Sequence, residues 1–419
     1  MLAPQTIATI KQTIPVLTEH GETLTRHFYK RMFTHNPEVQ TLFNPAHQHT
    51  GSQQKALAGA ICAYAQHIEN PDALADALEL IAQKHASLQI QPKHYPIVGK
   101  HLLASIREVL GDAATEEIID AWGQAYQVLA DVLISRETQL YADHEQQHGW
   151  QGLKTFTVQK KQSESDVITS FYLVPADGEA LPWFQPGQYI TVRVPGQDGH
   201  STMRNYSLSC HPGEPYYRIS VKRESSTAST APDGHVSNYL HDRIHEGDSI
   251  EVGPPCGDFV LDMNTAADRP LVLISGGVGI TPVLSMLHAA LELDTQRDIW
   301  FIHGAINSQT HAFAAEVRAL AMKHPRLHVH ICYSEPTSQD RQQAAYDSEG
   351  FIDLVLLTSL LDGPNADFYF CGPKPLLVNL YQGLFAWGVE ETQLNCEFFG
   401  PAEELQAPAA TACPFAEAH

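Results

Sequence analysis

The spacing of apolar residues changes character near residue 150, and that change limits what this chain can fold into. Up to about residue 143 apolar side chains recur at steps of three and four, the period of helices packed around one core. The next stretch alternates apolar and polar residues between Gly and Pro signals, as short antiparallel strands do: "KTFTVQKK", "PGQYITVRV", "MRNYSLSC", "YYRISVKRE" and "GDSIEVGPP". From Arg269 onward "RPLVLISGGVGITPVLSML" reads as strand, glycine turn and helix, and apolar strands near 299–303, 328–333 and 367–371 alternate with helical stretches. A multidomain chain is expected: all-α over 1–143, an antiparallel β-barrel over 150–264, an α/β Rossmann-like domain over 268–402, and a loosely ordered tail over 403–419. The join "ADHEQQHGWQG" is polar and without period, and reads as a linker.

Charge and cysteine usage narrow the function. With 26 Lys and Arg against 48 Asp and Glu the formal charge is −22, which argues against nucleic acid or an anionic membrane surface as partner, since basic patches hold both. The seven cysteines are scattered, odd in number and without a C-x-x-C pair. Neither a disulfide framework nor a structural zinc is expected, and a reducing cytoplasm fits best. Ile7, Ile10, Ile14 and Leu17 stand at helical spacing rather than in the unbroken apolar block of a signal peptide, and no window approaches a membrane span.

Three helical stripes each carry one polar residue toward the core. Leu74, Ala77, Leu78, Ile81, His85 and Leu88 form the first, which Gln91-Pro92 stops; Leu57, Ala60, Ile61, Tyr64 and Ile68 form the second, which reaches Gln53 one turn back. The third runs Trp122, Tyr126, Leu129, Leu133, Leu140 and carries Glu137. A buried imidazole needs a partner or a metal, because an unpaired polar group in an apolar core costs about 1–3 kcal/mol. Alone, His85 would more often be a satisfied core histidine. Together with Gln53, Glu137, Phe28, Tyr29 and Phe43 it has the parts of a haem pocket: a proximal His, a polar group on the facing helix beside Leu57, and an aromatic wall.

The strand region holds "RNYS", in which Arg204 can fork onto a phosphate, Tyr206 can pack beside a flat ring and Ser207 can bond a polar edge. Tyr189 lies on a neighbouring strand, where plain packing is an equal reading, and "GHVSNYL" offers Val236, Ser237 and free N–H groups at a helix start for a pyrophosphate. In "SGGVGITP" Gly277, Val278, Gly279, Ile280, Thr281 and Pro282 join a strand to a helix, so the backbone can approach a phosphate; Pro282 replaces the third glycine of the dehydrogenase fingerprint. "FYFCGP" supplies Cys371, Gly372 and Pro373 after a late strand, and "CEFFGP" supplies Glu397, Phe398, Phe399, Gly400 and Pro401 near the end. Cys371 alone is equally a small buried hydrophobe.

Residues 1 to about 143 look like a bacterial globin domain. The R-x-Y-S, G-x-G-x-x-P and C-G-P strings resemble the ferredoxin reductase family, and the whole chain resembles the microbial flavohaemoglobins, also called nitric oxide dioxygenases. The resemblance implies a globin fold, haem b, FAD and NADH or NADPH as cofactors, and nitric oxide and dioxygen as substrates of a cytoplasmic enzyme read as a monomer. It makes His85 the iron ligand, Tyr29 and Gln53 the distal polar pair, Leu57 the gate over the iron, and Phe43 the ring wedged against the haem. Tyr95 and Glu137 stand behind His85, with Lys84 helping to position Glu137. Asn205 comes within the flavin motif, Cys371 near the nicotinamide, Phe399 over the flavin and Glu397 tuning it; Phe398 stands where many relatives carry Cys. Flavin suits the order of the domains, because it accepts electrons in pairs and releases them singly. The alternatives are an oxygen-binding or sensing globin, and a flavin-dependent reductase of ferric or hydroperoxide acceptors.

Overall fold

The computed structural model describes residues 2–43, 51–196, 201–225, 233–263, 269–293 and 297–400. The tail, Pro401 included, lies outside them.

Among the described residues six α-helices form the first unit: α1 Pro4–Gln12, α2 Ile14–His35, α3 Ser52–Gln66, α4 Ala75–Ser87, α5 Tyr95–Leu110 and α6 Glu116–His148. The last shows how sequence sets helix limits. Thr115 caps its start by accepting from the Ile118 N–H at 3.3 Å, Glu116 and Glu117 sit at the positive end of its dipole, and Gly149 ends it in the left-handed region at φ 78°. It therefore runs beyond residue 143. The polar stretch that reads as a linker is helical through His148, because it contains no helix breaker before Gly149.

The helical core is divided. One apolar cluster holds Leu24, Phe28, Tyr29, Met32, Ile106 and Trp122; a second holds Ala82, Ala86, Tyr95, Ala130, Leu133 and Leu140. Tyr126 and Leu129 pack against both, while Phe43, Leu57, Leu78, Ile81 and Val98 are only half-buried. These half-covered apolar residues between the two clusters mark out the slot that a flat apolar group would fill.

The second unit is one antiparallel sheet of β1 Lys154–Ser163, β2 Ile168–Pro175, β3 Tyr189–Pro195, β4 Ser201–Ser207, β5 Tyr217–Lys222 and β6 Ser249–Val252, in the order β4-β3-β6-β1-β2-β5, with helix α7 His235–Arg243. Strand β2 is absent from the sequence reading. Six of its eight residues are buried, so "ITSFYLVP" lacks the half-polar alternation that marks a strand with one wet face.

The third unit is a parallel sheet in the order β10-β9-β8-β7-β11-β12. Its central strands are β7 Leu271–Gly276, β8 Ile299–Ala305, β9 Leu327–Tyr333 and β11 Asp367–Cys371, as the apolar runs indicate; the edges β10 Ser348–Glu349 and β12 Leu394–Glu397 are too short and polar to stand out. Leu271 and Leu273 face one core with helix α8 Ile280–Glu292 and helix α9 Ala314–Lys323, whereas Val272 and Ile274 face the other with α12 Lys374–Trp387. The second and third units are clamped by Arg218 of β5, buried, which donates to both oxygens of Glu316 on α9 at 2.9 and 3.0 Å. Among the described residues no helix is long and apolar enough to cross a membrane.

Candidate functional site

Three helices bring His85, Tyr95 and Glu137 together. Glu137 is buried at 2 % exposure, its Oε1 accepting from the Tyr95 hydroxyl at 2.5 Å and lying 2.8 Å from Nδ1 of His85. A carboxylate only accepts, so Nδ1 carries the proton and, in the neutral ring, the lone pair is on Nε2. That nitrogen has no hydrogen-bond partner among the described residues, and a third of the His85 side chain remains accessible although its helix packs in the core. An available lone pair beside the slot fits a metal in a flat macrocycle. Tyr95 is itself held: the Tyr126 hydroxyl donates to its carbonyl at 2.7 Å, and Gly99 leaves room for the Tyr126 ring, which a Cβ there would meet at 2.5 Å. Burial and the Glu137 carboxylate push the Tyr95 phenol far up, so it remains a donor.

On the facing side Tyr29 is 6 % exposed and its ring contacts Phe28, Phe33 and Phe43 at 5.0, 5.7 and 5.6 Å. Its hydroxyl finds no partner among the described residues, and burial raises its pKa strongly. Gln53 stands half-buried in the first turn of α3, one turn before Leu57. The segment 44–50 between Phe43 and α3 lies outside the described residues.

In the sheet, Tyr189 pairs with Ser207, Thr191 with Asn205 and Val192 with Arg204, so the pleat sends Tyr189, Thr191, Asn205 and Ser207 to one face and Arg204 and Tyr206 to the other. Burial lowers the Arg204 guanidinium, which donates to Thr202 Oγ1 at 3.2 Å and Met203 O at 2.6 Å. Helix α7 begins at Gly234 without a side-chain cap, with Val236 and Ser237 buried in its first turn; a Cβ on Gly234 would meet Glu224 Cβ and Ser237 Oγ at 2.7 Å. The N–H groups of a helix start beside a guanidinium-bearing strand fit a pyrophosphate.

The turn Gly277–Gly279 links β7 to α8, with Gly277 in the left-handed region at φ 54°. Gly279 lies directly against the Cys371–Gly372 backbone, and a Cβ there would overlap the Cys371 carbonyl. Val278, Ile280, Thr281 and Pro282 continue that turn into the helix, Thr281 returning its hydroxyl to Val278 O at 3.0 Å. The register Cys371–Ser275 and Cys371–Glu397 sets the C-G-P turn between the glycine turn and the carboxyl end of β12. Cys371 is wholly buried, which pushes its thiol well up, with Glu397 adding to the shift. Phe398 packs on the core behind α12 while Phe399 is 42 % exposed beside Gly400.

Among the described residues no side-chain contact joins Lys84 to Glu137. Adjacent helix residues point about 100° apart, so Lys84 turns away from the His85–Glu137 pair. Its Nζ lies 5.9 Å from the centre of the Tyr189 ring, with Glu397 as its opposite charge. The side chain is exposed, yet the surrounding protein pushes its ammonium down, with Glu397 opposing that shift. The same burial pushes the Glu397 carboxyl up to about 8 against the pull of Lys84, and Glu397 Oε2 is buried without a partner. Ser87, Thr191 and Gln83, which the sequence reading passes over, hold the same helix to the sheet: Gln83 Oε1 accepts from Gly257 N at 3.2 Å and Ser87 O from Thr191 Oγ1 at 2.9 Å. Small polar residues at such positions carry no sequence signal, because only the docked partner makes them necessary.

Fold and site together define a globin joined to a reductase with a flavin-type barrel and a nicotinamide-type sheet. A globin family model matches residues 26–133 and an oxidoreductase NAD-binding domain model matches residues 273–380. The flavohemoprotein of Rhodopirellula baltica is 50% identical over 408 residues, covering 97% of this chain and 100% of that protein; that of Halalkalibacterium halodurans is 49% identical over 407 residues, covering 96% and 98%. The crystal structure of flavohemoglobin from Malassezia yamatoensis with bound FAD and heme superposes with a TM-score of 0.82 at 28% identity, covering 95% of this chain and 100% of that one. The flavohem-like FAD/NAD binding domain of nitric oxide dioxygenase from Vibrio cholerae superposes with a TM-score of 0.53 at 35% identity, covering 59% and 99%. The chain belongs to the flavohemoprotein family, and it is an oxidoreductase.

Proposed function

We propose that this protein is a nitric oxide dioxygenase that turns nitric oxide and dioxygen into nitrate with electrons from NADH or NADPH, using FAD and haem b. Each turnover joins one nitric oxide, one dioxygen and one electron into nitrate, so one hydride serves two turnovers. When bound, the flavin accepts the hydride pair and the haem supplies the iron at which the gases react. The observation that carries the reading is the His85–Glu137 contact at 2.8 Å beside the divided helical core, in a chain that also holds both reductase units.

His85 would hold iron through Nε2, while Glu137 and Tyr95 keep the Nδ1 proton in place and make the imidazole a stronger donor. Across the slot the Tyr29 hydroxyl and Gln53 would donate to a ligand carrying partial negative charge, with Phe43 and Leu57 excluding water. Arg204 and the α7 start would hold the flavin pyrophosphate, with Tyr189, Tyr206 and Ser207 about its ring. The Gly277–Pro282 turn and Cys371–Pro373 would receive the nicotinamide dinucleotide, for which Phe399 is exposed enough to give way.

Purified protein should show a haem Soret band over flavin absorbance, and NADH oxidation in air should rise sharply on adding nitric oxide, with nitrate as product. Colourless protein, or NADH oxidation indifferent to nitric oxide, overturns the reading. A sensing globin predicts no turnover at all.

A further inference from the structure

The helix that carries His85 ends on Ser87, a residue 1 % exposed that no reading above gives a chemical role. Its hydroxyl folds back to Lys84 O at 2.8 Å, as a serine closing a helix does, which fixes the direction of Oγ. Asn205 Nδ2 then donates to that Oγ at 3.0 Å. Thr191 Oγ1 stands 2.9 Å from both Ser87 O and Asn205 Oδ1, and its single proton serves the two acceptors. Thr191 and Asn205 face each other across β3 and β4, on the sheet face that also carries Tyr189 and Ser207, and Thr191 is itself 1 % exposed.

We propose that Ser87, with Thr191, is a positioning residue for electron transfer from flavin to haem: it pins the His85 helix to the two strands that would hold the flavin. Resting on the function proposed above, this assigns the docking of the two modules to an uncharged, buried network rather than to the Lys84–Glu397 charges. A network without formal charge works equally at high salt and across the neutral pH range. Ser87 and Thr191 are shut off from water while docked, so removing the Thr191 hydroxyl leaves the buried Ser87 carbonyl without that donor and favours opening of the seam. Gln83 and Gly257 add one further bond, at 3.2 Å, on the same side.

The test is Thr191→Val, which keeps the side-chain shape and removes the hydroxyl, with Thr191→Ser as rescue and Ser87→Ala as second variant. Holoprotein is mixed anaerobically with NADH under carbon monoxide, so that flavin bleaching and ferrous haem formation are read separately, while hydrogen–deuterium exchange follows residues 83–91 and 188–192. Flavin bleaching is expected within twofold of wild type. Haem reduction should slow about tenfold, the scale set by one or two buried hydrogen bonds, at low and at 0.5 M salt, and Thr191→Ser should restore it. Peptides on both sides of the seam should lose protection in the Val and Ala variants, a readout independent of nitric oxide turnover. Unchanged haem reduction, unchanged protection, or slowing that tracks loss of haem or FAD would each overturn the proposal. Wild type that makes no nitrate while the variants still lose seam protection would sink the function and leave the docking role standing.

Discussion

Glu137 and His85, 52 residues apart in the chain, meet at 2.8 Å with the imidazole proton between them, on the side of the ring that faces away from the slot. The second oxygen of Glu137 is buried without a partner among the described residues, so the carboxylate spends its acceptor capacity on one corner. Replacing it by Gln puts an amide where the acceptor is needed. Glu137→Gln should lower nitric-oxide-dependent turnover about 10- to 100-fold, the usual cost of losing such a partner, with haem still bound; activity within twofold of wild type in the purified variant would remove Glu137 from the mechanism.

Tyr29 loses little structurally when it loses its hydroxyl, since that group bonds nothing among the described residues. Tyr29→Phe should therefore melt at or above the wild-type temperature while releasing dioxygen about tenfold faster, as the loss of one hydrogen bond to a polar ligand predicts. Flash photolysis or stopped-flow displacement reads the rate, and an unchanged value argues against the distal role.

Gly279 tolerates no side chain against the Cys371 carbonyl. Gly279→Ala should push the glycine turn off the C-G-P turn, raising KM for NADH and slowing flavin reduction, with the haem spectrum untouched. Normal NADH kinetics would show that the two turns move apart without consequence.

Acid should weaken the fold through buried histidines at the join. His144 and His148, on the last two turns of α6, are 5 and 8 % exposed, and burial pulls both down to about 4. Between the ordinary value near 6.5 and 4 the unfolded chain binds protons that the folded one refuses, so stability falls as pH drops through that window and levels off below it. The limit is about 3 kcal/mol for each. Melting temperatures at pH 7, 5.5 and 4.5 should decline, and less steeply in His144→Gln; identical slopes would mean that other groups govern acid unfolding.

Arg218 is buried with Glu316 across the two reductase units, and His288 Nε2 adds a third contact to that carboxylate at 2.7 Å. Removing one member strands the other, so Arg218→Met should cost about 3 kcal/mol, the low end for a broken buried pair because Glu316 keeps some solvent. Calorimetry of the holoprotein reads the shift, and a change under 1 kcal/mol, roughly the exposed-pair range, would contradict the clamp.

Much of this protein is legible along the chain. The switch from a 3.6-residue to a two-residue period separates helices from strands; His85 and Glu137 stand out because each breaks an apolar stripe with a group that is costly to bury, and the glycine turn because it interrupts a strand-to-helix run. Three things stayed hidden. Strand β2 is covered on both faces and so shows no alternation; the helix past residue 143 is polar, and only Gly149 marks its end. Lys84 has Glu397 as its opposite charge although Glu137 is the carboxylate beside His85, because a neighbour in sequence is not a neighbour on a helix face. Period, caps and glycine placement are local, and local energetics settled them before any folding. Which carboxylate meets which cation, which strands accept the His85 helix, and which buried hydroxyl has a partner depend on surfaces far apart in sequence, and only their packing decided these, since a hydrogen bond in a dry seam has no counterpart in the isolated segments.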